Sequence, residues 1–85
     1  MEISSGTVVK AAAGRDKNNL FIVIDFFDGD HALIADGRTR RLEKPKKKKL
    51  KHIEFHALAP EFLPKTNKEI RKVLSELETD NVIKE

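Results

Sequence analysis

Eighty-five residues make one domain, and a domain this small buries only roughly 60–65% of its unfolded surface, which excludes a deep cleft between two lobes. With 39% hydrophobic and 36% charged residues, a modest core sits in a heavily solvated shell, and the absence of cysteine excludes disulfides and thiolate metal sites. The net charge of +3 is uneven: residues 1–52 carry 12 Lys/Arg against 7 Asp/Glu, residues 53–85 carry 5 against 7, and Asp36–His52 alone carries 9 against 2.

Met1-Glu2-Ile3-Ser4 lacks a basic stretch followed by an apolar one, so no signal peptide is expected and the cytoplasm is the expected compartment. Gly6–Ala11 reads as a first strand, since Thr7, Val8 and Val9 are β-branched. Gly14–Asn19 is a loop, with Gly and Asn at positions that tolerate positive φ. Leu20–Phe27 is the strongest strand. Leu20, Ile22, Ile24 and Phe26 alternate with Phe21, Val23, Asp25 and Phe27, so both faces need cover, one inside a barrel and one beneath another element. Asp28-Gly29-Asp30 turns the chain into a third strand, His31–Ala35.

Asp36-Gly37 is a hairpin signal, and Arg38–Glu43 alternates as a fourth strand that Pro45 interrupts. Residues 44–51 then form a basic loop around Lys46–Lys49, and Ile53–Ala57 closes the barrel as a fifth strand. After Pro60 and Pro64 the pattern turns helical. Thr66 and Glu69 have the form of a capping box, and Ile70, Val73, Leu74 and Leu77 make one apolar stripe over about residues 67–78. This helix is too short to stand alone and is expected to dock on the outer face of Leu20–Phe27. The expected fold is therefore mainly β: a small five-stranded barrel over residues 1–58, and a C-terminal extension over 59–85 whose helix packs on it.

Several segments taken in order resemble the KOW-domain RNA-binding proteins, nearest to the bacterial group akin to an archaeal/eukaryotic large-subunit ribosomal protein. They are Gly6–Val9, Ala13–Lys17, Phe21–Asp25, Leu33–Gly37 and Lys44–Lys49, within a match over about residues 4–53 and a looser one at Asn67–Leu74. The resemblance implies an SH3-like barrel, binding to structured RNA, and ribosome association. One departure is Asn18, where many KOW loops have glycine; Asn tolerates the left-handed conformation, so the turn can survive. A second glycine often found a few residues later is absent, with Leu20-Phe21 in its place.

The candidate RNA-binding residues are Lys10, Arg15, Lys17, Arg38, Arg40, Arg41, Lys44, Lys46, Lys47, Lys48, Lys49, Lys51 and His52. Lysines displace counterions from phosphate, whereas arginine grips phosphate bidentately or stacks on a base. Lys46–Lys49 is expected to be mobile and to touch phosphates interchangeably, while Arg15, Arg38 and Arg40 read the shape of one RNA. The five Phe are expected mainly in the core, with Phe21 or Phe27 the alternative stacking surface.

Enzymatic readings fare worse. On one strand His52, Glu54 and His56 would share a face, but at about 6.6 Å apart they are awkward ligands for one ion. Asp28-Gly29-Asp30 opens like a calcium loop, yet Leu33 and Thr39 occupy its glycine and glutamate positions. No catalytic constellation, metal or other cofactor is expected, and no membrane association. The expected partners are RNA, ribosomal RNA above all, and ribosomal proteins, with a monomer away from the ribosome. The alternative is a protein-interaction adaptor of a ribonucleoprotein or transcription complex, using the barrel and the apolar stripe of the helix.

Overall fold

The computed structural model describes residues 2–61 and 63–83. In chain order they form β1 (Val8–Ala11), β2 (Leu20–Asp28), β3 (His31–Ala35), β4 (Lys46–Lys49), a 3-10 turn (Leu50–His52), β5 (Ile53–Ala57) and α1 (Asn67–Ile83). The strands make one antiparallel sheet in the order β4-β3-β2-β1-β5. The fold is mainly β with one C-terminal helix, as expected. The barrel is not closed by a strand ladder, because β4 and β5 are the two edges of the sheet.

Both faces of β2 are covered over its first half, Leu20–Val23, as its apolar alternation requires there. Phe21 and Val23 join Val9, Ala11, Ala32, Ile34 and Ile53 in one cluster. Leu20 and Ile22 join Val8 and Ala35 in a second cluster, which Ile70 and Leu74 of α1 complete. The helical stripe is thus core. The N-terminus of α1 is capped by Thr66, whose hydroxyl accepts from the Glu69 N–H at 3.1 Å. Glu69 reaches back as expected, but one residue further, to the Lys65 N–H at 2.7 Å. The helix runs to Ile83, beyond the expected end at residue 78.

Two expectations are corrected. Arg38–Glu43 is not a strand. The Asp36 carboxylate accepts from the N–H groups of Arg38 and Arg40, both at 2.9 Å, and from the Thr39 hydroxyl at 3.2 Å. A carboxylate that captures its own downstream N–H groups competes with a ladder, and here it winds the chain into a tight loop. The fourth strand is instead Lys46–Lys49, expected as a basic loop; its backbone pairs with His31–Ile34. Pro45 precedes the first strand residue, where a missing N–H costs the ladder nothing.

Alpha1 then locks the Asp36–Glu43 loop. The Arg71 guanidinium donates to the Gly37 carbonyl at 2.7 Å. Asn67 accepts from the Leu42 N–H at 2.7 Å and donates to the Glu43 carboxylate. Gly37 has φ +78°, and a Cβ there would lie 2.5 Å from the Asn67 carbonyl oxygen, so only glycine allows this approach.

Candidate nucleic-acid interface

Residues opposite each other in a ladder point to the same side, so the pairing of β4 sorts its four lysines. Lys46 and Lys48 face the side of Ile34 and Ala32, whereas Lys47 and Lys49 face the side of Leu33 and His31.

Lys46 and Lys48 reach across to the β1–β2 loop. The Lys48 ammonium donates to the Ala13 carbonyl at 3.0 Å. Lys46 lies 3.8 Å from the Asp16 carboxylate, which also accepts from the Arg40 guanidinium at 3.3 Å. Side chains therefore tie β4 and the Asp36–Glu43 loop to the β1–β2 loop, with Asp16 the shared anchor of Arg40 and Lys46. The loop itself turns at Gly14 (φ +85°) and Asn18 (φ +75°), so asparagine does adopt the left-handed conformation. Arg15 and Lys17 stand exposed on it.

Arg40 and Lys46 also line a surface groove of about 410 Å³ with Thr39, Arg41, Lys44 and Pro45. Four of its six lining residues are cations. Arg41 is exposed and lies 3.3 Å from Glu43. The Glu43 carboxyl is held below the ordinary glutamate value, first by the hydrogen bond from Asn67, with the Arg41 guanidinium adding a smaller effect. The Arg40 Nε is buried and, among the described residues, has no hydrogen-bond partner. Such an atom is costly unless something satisfies it.

The remaining candidates spread over other surfaces. Arg38 lines a separate cleft beside α1 with Asp36, Arg71 and Ser75. Lys10 is half-buried on β1, opposite Glu54 of β5. Lys51 is exposed and His52 half-buried, both in the 3-10 turn. His52 therefore does not alternate with Glu54 and His56 along one strand, and the shared face weighed for metal binding is not formed.

Lys47 lies over Phe27, which the sequence offered with Phe21 as the alternative to a core position. Phe21 is fully buried, but Phe26 and Phe27 are 37% and 59% exposed, against the expectation that most Phe lie in the core. The register of β2 against β3 shifts between Val23 and Asp25 and again between Phe26 and Asp28, and burial on β2 ends at Val23. The Lys47 ammonium lies 4.4 Å from the Phe27 ring centroid, and the His31 ring meets Phe27 edge-on with centroids 6.5 Å apart. His31 is tied to the Asp28 carboxylate at 2.9 Å. That bond is the main cause holding the Asp28 carboxyl below the ordinary aspartate value, followed by the Asp30 N–H. Phe62 lies outside the described residues.

Sequence reasoning missed Asp16 as anchor and Asn67 and Arg71 as clamps. Asn67 and Arg71 are four apart, so the 3.6-residue period puts them on one side of α1, a signal available beforehand. No comparable signal marks Asp16. No helix among the described residues is long and apolar enough to cross a membrane. No protein-family model matches the chain, and neither does any curated protein.

Proposed function

We propose that this protein binds structured RNA, ribosomal RNA above all, without catalysing a reaction, as a ribosomal or ribosome-associated protein of the cytoplasm. The observation that carries the reading is the groove of Arg40, Arg41, Lys44 and Lys46. Their positive charge displaces counterions from a phosphate backbone, and the two guanidinium groups suit phosphate oxygens geometrically. The resemblance of residues 4–53 to KOW-domain proteins points the same way.

Asp16 and Glu43 do not oppose this role. They hold Arg40, Lys46 and Arg41 in place at 3.3–3.8 Å, and an ordered cation loses less freedom on binding than a free one. The adaptor reading has less support, because Ile70 and Leu74 are buried in the core and cannot serve as a partner surface.

The test is native purification. The protein should carry nucleic acid, seen as a high 260/280 nm absorbance ratio that ribonuclease lowers, and should sediment with ribosomal fractions. Protein free of nucleic acid at low salt would refute RNA binding. Absence from ribosomal fractions would remove only the ribosome.

A further inference from the structure

We propose that the tip of the β2–β3 hairpin is a stacking platform for one unpaired nucleotide, with Phe27 taking the base and Lys47 and Lys49 taking the adjoining phosphates. The inference rests on the RNA-binding reading and adds a second site with its own ligand class.

Phe27 is 59% exposed, yet its ring is held from two directions by the His31 edge and the Lys47 ammonium. His31 is in turn fixed by Asp28. A single exposed aromatic residue is ordinary in itself. Here two polar neighbours, His31 and Lys47, orient a ring that contributes nothing to either core cluster. A ring positioned beforehand gives up little freedom when a ligand stacks on it.

The surroundings select the ligand. Lys47 and Lys49 project from the same face of β4, about 6.6 Å apart along the strand, and exposed Lys51 follows. The nearby acids are Asp25, exposed on β2 and accepting from the Phe26 N–H, Asp28, engaged by His31, and Asp30, which lines a cleft with His31, Lys49, Leu50 and Lys51. An apolar protein surface would have to desolvate these charges around Phe26 and Phe27. A nucleotide meets them with matching chemistry, since every base has a π-face and carries its own phosphate. Lys47 covers one face of the ring, so the base takes the other. A continuous duplex has no open base face to offer, which restricts the ligand to a loop, bulge or single strand.

The decisive experiment compares an RNA stem-loop carrying 2-aminopurine in its loop with a fully paired duplex of equal length. Wild type should bind the stem-loop and quench its fluorescence. Phe27→Leu should weaken stem-loop binding roughly five- to hundred-fold, abolish the quench and leave duplex binding unchanged. Phe27→Trp should keep the quench, which separates loss of the ring from any loss of folding. Equal stem-loop binding and quench by wild type and Phe27→Leu would overturn the platform while leaving RNA binding intact. Failure of wild type to bind either RNA would overturn the RNA reading itself. Competition by a poly-glutamate peptide as strong as that by the stem-loop would assign the platform to acidic protein segments and overturn the base.

Discussion

Replacing Gly37 with alanine should destabilise the protein by about 2–5 kcal/mol. Two costs add at this position. A non-glycine residue held in the left-handed region costs roughly 1–2 kcal/mol, and Gly37 has φ +78°. The new Cβ would also lie 2.5 Å from the Asn67 carbonyl oxygen and 3.0 Å from the Arg71 Cγ. The carbonyl belongs to the helix backbone and cannot swing away, so α1 must move off the loop, an overpacking cost of roughly 1–3 kcal/mol. For a domain of this size each kcal/mol lowers the melting temperature by about 4–8 °C, so the total shift is on the order of 8–40 °C. Gly29→Ala is the control, because nothing lies within 4 Å of its Cβ position and its φ is not in the left-handed region. It should change stability by less than about 0.5 kcal/mol. Gly37→Asn should fall between the two, since asparagine tolerates the φ but keeps the clash. Thermal and urea unfolding followed by circular dichroism reads all three. If Gly37→Ala melts with Gly29→Ala, α1 does not rest on the loop and the clamp is wrong.

Ile70→Ala should cost about 2–5 kcal/mol in urea unfolding, because Ile70 is fully buried beneath α1 against the outer cluster of the sheet; a loss below about 1 kcal/mol would mean that the helix does not dock. Asp28 should titrate below the ordinary aspartate value of about 3.9 by NMR, and His31→Ala should raise it, since His31 is the largest cause of the depression. Because the folded value is the lower one, this bond stabilises the protein above the ordinary pKa, and its contribution disappears as pH falls through the folded pKa. An Asp28 midpoint unmoved by His31→Ala would remove that link and weaken the account of how the Phe27 ring is held.

The architecture was legible wherever alternation and period were unambiguous. Apolar residues on both faces of β2 demanded two covers, and the stripe of Ile70 and Leu74 supplied one of them. The left-handed turn at Asn18 followed from a property of one side chain. Arg38–Glu43 misled because alternation alone does not reveal that the Asp36 carboxylate captures two of its N–H groups. Beta4 was hidden for the opposite reason. Four lysines after a proline carry no strand signal, and what makes them a strand is the partner backbone of His31–Ile34. The charges also suit that place, since lysine on an exposed edge discourages pairing with another chain. The candidate groove was legible as composition only. Which cations meet there depends on Asp16, 24 positions from Arg40 in the sequence, and on the bonds from α1 to Gly37, Leu42 and Glu43. Phe27 was legible only as an alternative to Phe21, because its exposure comes from a strand that outruns its cover.

The salt dependence of RNA affinity in wild type and in the double variant Arg41→Gln/Lys44→Gln tests the central claim most directly. Both side chains are exposed in the groove, so the substitutions should leave the fold intact. If each cation neutralises one phosphate, the slope of log K against log salt should become shallower by about 1.4–1.8 in the double variant. Lys72→Gln, an exposed charge on α1 beside Glu69 and Glu76, should leave the slope where it was. A slope unchanged in the double variant, or lowered as much by Lys72→Gln, would contradict the groove as the RNA-binding surface.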